Sequence, residues 1–318
     1  AWGIPALLLM NALRGLTDGL GHTRVIMAFS VLSTLVNLPL NYIFIYGKLG
    51  LPAMGGVGCG WATTISNSVA AIAMLVYLNR SATYRHFHLL ADWARPSWRG
   101  IRYILRIGVP IGFTIFVEAS MFAVIALFLA PLGPVVVAGH QIALNVVSLL
   151  FMLPLSLGMA LTLRVSFLVG AQAPETARLI SRSSLILASA VALVFATSLF
   201  VLSGPIAALY TSDAEVQAVT VRLLAFAALF QIADVIQVTC ISALRGYKDT
   251  GIPFFIMLFS FWGIGLPLGY TLTFTDWLAP AMGAAGFWIG LTAGLTSASL
   301  LLGWRLFSYN AAMQPSTD

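Results

Sequence analysis

Apolar runs close to twenty residues long recur from one end of this chain to the other, separated by short segments rich in glycine, proline and arginine. Wound as a helix, a run of that length matches the hydrocarbon core of a bilayer, and no stretch alternates with the two-residue period of a strand. Of the 318 residues 60% are hydrophobic and only 8% are charged, a balance at which a soluble fold could not keep its apolar side chains inside. The chain reads as an all-α polytopic membrane protein with no soluble domain.

The pattern predicts a partial helix over 1–14 and helices near 24–46, 57–79, 103–131, 134–168, 175–202, 213–244, 251–273 and 283–309. Turns are expected at 47–60, at Gly133-Pro134, at Gly204-Pro205 and at 279–286. Every second connection is basic: Arg14 and Arg24, then Arg80, Arg85, Arg95, Arg99 and Arg102, then Arg164, Arg178 and Arg182, then Arg245 and Lys248, with Arg305 near the end. The intervening ones hold Lys48 against Asp213, Glu215 and Asp276. The basic set, and with it the C-terminus, is expected on the cytoplasmic side. This placement accounts for the net charge of +6 without a nucleic-acid partner. Cys59 and Cys240 are too few and too dispersed for a disulfide framework or a zinc site.

One segment occurs twice. A basic turn, Arg14-Gly15-Leu16-Thr17-Asp18, has a near copy in Arg245-Gly246-Tyr247-Lys248-Asp249. Downstream, Leu38-Pro39-Leu40-Asn41-Tyr42 and Pro52-Ala53-Met54-Gly55 match Leu266-Pro267-Leu268-Gly269-Tyr270 and Pro280-Ala281-Met282-Gly283. Order is kept and the spacing from the basic turn differs by three residues. An even number of helices separates equivalent points, so the copies share an orientation and are expected to be two halves related by an axis along the membrane normal. About four helices precede the second basic turn and only residues 1–12 precede the first, which predicts roughly 130 further residues, about three and a half helices, upstream.

Glu118 and Asp234 are the acidic residues deep within apolar segments, where a carboxylate costs several kcal/mol unless protonated, paired or bound to a cation. Glu118 lies twelve residues beyond Arg106 and Asp234 eleven before Arg245, which puts both ~17 Å from the basic rim and level with each other. Two carboxyls sharing a dry cavity cannot easily both ionise, so the pair suits a proton or a cation such as Na⁺. Alternatively, each is satisfied by a neighbouring hydroxyl or amide and merely ties helices together. Gln141 and Asn145 share a helix face, and Gln231 and Gln237 flank Asp234. Each of these amides is either a ligand contact or an interhelical hydrogen bond. Phe122 lies one turn beyond Glu118 and Phe230 one turn before Asp234, either as packing or as a cation–π seat for a lipophilic cation.

Other signals carry less. Gly286, Gly290 and Gly294 permit close helix packing and imply no chemistry. The glycines at 55–60 follow no strand, so they enter a helix and are not a nucleotide loop. The matched prolines Pro39 and Pro267 suggest equivalent kinks in both halves. His22, His86, His88 and His140 have no metal-ligand spacing.

With Glu118, Asp234, the repeated basic turn and the segment Ala138-Gly139-His140-Gln141-Ile142-Ala143-Leu144-Asn145 in view, the chain resembles the MATE (multidrug and toxic compound extrusion) family in its bacterial NorM branch, over essentially its whole length. The resemblance implies a two-lobe bundle of twelve helices. Residues 1–80 would be the remainder of the N-terminal lobe (the end of helix four with helices five and six) and 81–102 a cytoplasmic inter-lobe loop. Residues 103–310 would form a complete C-terminal six-helix lobe and 311–318 a cytoplasmic tail. In the family a glutamate on helix seven and an aspartate on helix ten form a cation or proton site in the C-terminal lobe, matching Glu118 and Asp234. Phe122 and Gln141 fall where the family lines its drug cavity, and Asn145, Phe230, Gln231 and Gln237 are expected beside them. A tyrosine that some members carry four residues before the aspartate is Phe230 here, which leaves cation selectivity open.

The implied function is secondary antiport by a monomer in a bacterial inner membrane. Inward flow of Na⁺ or H⁺ would drive export of drugs or toxic organic cations by alternating access, with membrane lipid as surroundings and no cofactor beyond the coupling ion. A lipid-linked oligosaccharide flippase of the same superfamily is the alternative, but it would be expected to carry a basic cavity. An intramembrane enzyme would need a nucleophile or metal constellation, and none is found.

Overall fold

The computed structural model of the chain describes residues 2–50, 52–84 and 97–312. Its helices are α1 (Ile4–Gly19), α2 (Thr23–Tyr46), α3 (Gly56–Arg80), α4 (Trp98–Leu129), α5 (Pro134–Gly170), α6 (Pro174–Tyr210), α7 (Ala214–Gly246), α8 (Gly251–Leu258), α9 (Leu266–Phe274) and α10 (Ala284–Ala312). A π-helical stretch, Phe259–Gly265, joins α8 to α9. Eight segments among the described residues are long and apolar enough to cross a membrane, with α8 through α9 counted as one. All-α architecture follows from the solvent: in hydrocarbon each backbone N–H and C=O must find its partner within the segment.

The chain divides into two compact units, Ala1–Ser97 and Trp98–Asp318. In the first, α3 packs against both α1 and α2, around Leu13, Ile26, Met74, Leu78 and Tyr84. In the second, α7 is the central helix, with α5, α6 and α10 packed against it. It is buried on nearly every side from Phe230 to Gly246. Helix α4 packs instead on α8 and the π-helical stretch.

Local signals explain most boundaries. Pro134 and Pro174 stand in the first turns of α5 and α6, where their missing N–H is no loss. Asp213 caps α7 by accepting hydrogen bonds from the backbone N–H of Glu215 (2.9 Å) and Val216 (3.2 Å). Gly47 closes α2 at φ 66°, the left-handed region that favours glycine.

Three expectations need correction. Residues 14–18 are not a turn, because α1 continues to Gly19 and Arg14 and Asp18 form an i,i+4 ion pair (3.3 Å) on it. Gly204-Pro205 is not a turn either, since α6 runs through Pro205 to Tyr210. A proline late in a long apolar helix frees one backbone carbonyl, and membrane helices tolerate that where neighbouring groups take up the loss. Pro39 and Pro267 are not equivalent kinks: Pro39 lies inside an α2 without a π-helical stretch, and Pro267 opens α9 directly after one. Arg85, His86, His88 and Arg95 of the expected inter-lobe loop, and residues 313–318 of the expected tail, lie outside the described residues.

Candidate functional site

The carboxyl of Asp234 is held in the middle of α7, 3% exposed, and accepts no hydrogen bond among the described residues. Glu118, half-buried on α4, lies within electrostatic reach of it. Aromatic side chains bridge the two helices. Phe122 and Phe230 meet edge to face with ring centroids 6.3 Å apart. These rings sit one turn from Glu118 and one turn from Asp234 on antiparallel helices, so their contact fixes the two carboxyls at one level.

Polar atoms without partners flank the aspartate along α7. Gln231 is fully buried, and both its amide nitrogen and its amide oxygen lack a hydrogen bond among the described residues. Gln237, 2% exposed, points its amide nitrogen at the Met257 sulfur (3.1 Å) and leaves its oxygen unpartnered. Each orphaned amide group in an apolar interior costs roughly 1–3 kcal/mol. Such a cluster is expensive to keep empty, and a bound ion, proton or water would relieve it.

Several neighbours of this cluster were not legible in the sequence. Trp288 of α10 stands against Phe230 (5.6 Å) and donates its indole N–H to Nδ1 of His140 (3.3 Å). That bond puts the imidazole proton on Nε2, which is buried without a partner among the described residues. Trp262, on the π-helical stretch, donates to the carbonyl of Val117, the residue before Glu118 (3.4 Å). Arg245, expected at the membrane rim, lies within electrostatic reach of Glu118.

The remaining expected residues are placed as follows. Phe230, Gln231 and Gln237 are at most 2% exposed and line no open surface of their unit. Gln141 and Asn145 stand on the exposed side of α5, and Asn145 accepts a hydrogen bond from the Tyr210 hydroxyl (2.7 Å). No group of three or more His, Cys, Asp or Glu residues able to hold a metal ion occurs among the described residues. A cation here would draw on two carboxylates, amide and backbone oxygens, and water, a donor set for a hard ion.

Comparison with known proteins decides the family. The MatE family model matches residues 110–271, half of the chain. A probable multidrug resistance protein NorM of Idiomarina loihiensis is 44% identical over 306 residues, covering 96% of this chain and 66% of the relative. The multidrug resistance protein MdtK of Edwardsiella ictaluri is 43% identical over 305 residues, covering 96% and 67%. This chain belongs to the MATE family. Pseudomonas aeruginosa has a further relative, the multidrug resistance protein PmpM, 45% identical across 96% of the MATE chain described here. The chain spans about two thirds of the length of these curated relatives. Among solved structures, the eukaryotic MATE transporter AtDTX14 superposes with a TM-score of 0.84 at 22% identity, covering 96% of this chain and 67% of that one. A MATE protein in its bent conformation superposes with a TM-score of 0.85 at 19% identity, covering 98% and 67%. The all-α MATE fold expected from the sequence is the fold observed, and the family's members matched here are multidrug resistance proteins by name, not enzymes.

Proposed function

We propose that this MATE chain is the larger part of a cation-coupled exporter of lipophilic, mostly cationic compounds, with Glu118 and Asp234 as the coupling site. One observation carries the reading: a buried carboxyl with no hydrogen-bond donor among the described residues, within electrostatic reach of a second carboxyl and flanked along α7 by the unpartnered amide groups of Gln231 and Gln237. Such a site costs free energy when empty and is relieved by Na⁺ or H⁺, so ion occupancy is linked to the packing of α4 against α7. Neutralising the pair also removes the negative field that favours an organic cation, so ion and drug compete. Gln141 and Asn145, exposed on α5, are the drug-contacting candidates. Gln231, Gln237 and the Phe122–Phe230 pair belong to the ion site. The multidrug resistance names of the NorM, MdtK and PmpM relatives support this substrate class.

Transport belongs to the whole protein, a monomer of the bacterial inner membrane with a cytoplasmic C-terminus, as the basic connections favour. In it residues 1–80 serve the N-terminal lobe, 81–102 link the lobes, 103–310 form the C-terminal lobe and 311–318 its tail. An acidic interior disfavours a pyrophosphate-linked cargo. Glu118→Gln and Asp234→Asn in the full-length protein are each expected to reduce ion-driven ethidium efflux to the vector background while membrane insertion is unchanged. Undiminished efflux in both variants rejects the coupling site.

A further inference from the structure

A cleft of about 210 Å³ runs between α5 and α6 with α7 as its floor, on a part of the molecule the coupling site does not use. Its walls are apolar over most of their length, with Leu157 and Ala160 on α5 and Leu187 and Ala188 on α6. The floor residue Thr239 gives its hydroxyl to the Val235 carbonyl (2.7 Å) and so offers the cleft only its methyl group. At the end nearest the α5–α6 turn the character changes. Arg164 stands there, exposed, with its guanidinium 5.8 Å from the Phe167 ring and no carboxylate in ion-pair range among the described residues. Ser184, ten residues into α6, lines the cleft about 6 Å deeper, level with Ala160, with no hydrogen bond to its hydroxyl among the described residues.

Helix lengths set the depth of this mouth. The 37 residues of α5 span about 55 Å, so a ~30 Å hydrocarbon core leaves ~12 Å of helix beyond each boundary. Arg164 lies six residues before the end of α5 at Gly170, about 9 Å in, which is the glycerol and phosphate zone. Leu157 is ~10 Å deeper, among the acyl chains. The cleft also points away from the amide-bearing face: Leu157, Ala160, Leu161 and Arg164 centre ~130° around α5 from Gln141 and Asn145. It is thus a slot on the flank of the helix pair, with a guanidinium at headgroup level that has no carboxylate partner among the described residues and an apolar channel beneath.

We propose that this cleft is a binding site for one anionic phospholipid of the leaflet on the basic-loop side, its phosphate on Arg164 and an acyl chain past Ser184 along Leu157 and Leu187. A neutral zwitterionic lipid fills the channel equally well, but its own ammonium competes for the phosphate. The anionic headgroup is what an uncompensated guanidinium selects.

The test uses full-length protein, stripped of lipid in detergent and offered equal amounts of phosphatidylglycerol and phosphatidylcholine with identical chains, with retained lipid counted by native mass spectrometry. Wild type is expected to keep one phosphatidylglycerol at about fivefold preference, the attraction of one arginine near the surface. Arg164→Gln is expected to abolish the preference and Arg164→Lys to restore most of it, so that misfolding does not explain the loss. Ala160→Phe, which fills the channel and keeps the charge, is expected to lower retention of both lipids. Arg182→Gln, an exposed arginine on α6 outside the cleft, should leave the ratio alone. Equal retention of the two lipids by wild type, an unchanged ratio in Arg164→Gln, or an equal fall in Arg182→Gln each overturns the proposal.

Discussion

Two helix pairs in this molecule, α2 with α3 in the first unit and α9 with α10 in the second, follow one plan and use different forces. The shared plan extends to single hydrogen bonds. The backbone N–H of Met54 bonds the carbonyl of Phe44 at 2.9 Å, and that of Met282 bonds Leu272 at 2.9 Å. Gly55 and Gly283 follow at φ 54° and 59°, and a Cβ on Gly58 or Gly286 would strike the Phe44 or Leu272 backbone at 2.7 and 2.6 Å. Beyond this turn the pairs diverge. In the first, Asn37 donates to Ser66 (3.1 Å), Ser33 to Asn67 (3.2 Å) and Asn41 back to Asn37 (2.6 Å). In the second, the positions of Asn37, Asn41, Ala62 and Ser66 are taken by Gly265, Gly269, Gly290 and Gly294, and backbone lies on backbone. The same ends of the repeat are thus glued by side-chain hydrogen bonds in one copy and by close van der Waals packing in the other. The consequence for shape is the π-helical stretch Phe259–Gly265, present only in the glycine-rich copy. Glycines lower the cost of rewinding the backbone, and Trp262 on that stretch is what reaches the carbonyl beside Glu118.

The sharpest way to break this comparison is to put the first copy's residue into the second. Gly290→Ala brings a Cβ to 2.5 Å from the Gly265 oxygen and the Gly269 Cα, neither of which can rotate away. It is expected to destabilise the folded protein by about 3 kcal/mol, read as a lower midpoint in denaturant titration. The reciprocal Ala62→Gly should cost only about 1 kcal/mol, the helix penalty of glycine. Equal losses in the two variants refute the assignment of different forces. Next in size is Asn37→Ala, which removes the interhelical bond to Ser66 and should cost about 0.6 kcal/mol, rising toward ~1.7 if Asn41 finds no other partner. The smallest effects concern the basic motif. Asp249→Asn breaks a 2.8 Å pair with Arg305 that ties α10 to the end of α7, and should cost about 0.5 kcal/mol. Asp18→Asn breaks the i,i+4 pair with Arg14 and should cost about 0.3 kcal/mol, within the reach of added salt. A larger loss for Asp18→Asn would mean that the first copy also uses its aspartate as a clasp between elements.

That contrast in the basic motif also shows where sequence reading runs out. Both copies carry arginine, glycine and aspartate at the same spacing, yet one motif is a turn of helix and the other ends a helix at Gly246 with Lys248 at φ 64°. The three extra residues of the first copy continue as helix to Gly19, so α2 and α8 still begin sixteen residues before their prolines. In Asp249 the deciding factor is a partner 56 positions away, Arg305, which no local spacing reveals.

The membrane-crossing segments and the repeat were readable from residue order alone, as were the two carboxyls in apolar surroundings, because hydrocarbon allows no unpaired backbone and makes a lone charge conspicuous. Residue order did not say which side of each helix is packed. In water that side shows itself as the apolar one, but here lipid and protein interior are equally apolar, and the stripes look alike. Only tertiary structure separates the buried Gln231 and Gln237 from the exposed Gln141 and Asn145. It also leaves Arg245 within electrostatic reach of Glu118 and sets Arg164 at the mouth of a cleft with no carboxylate in ion-pair range among the described residues.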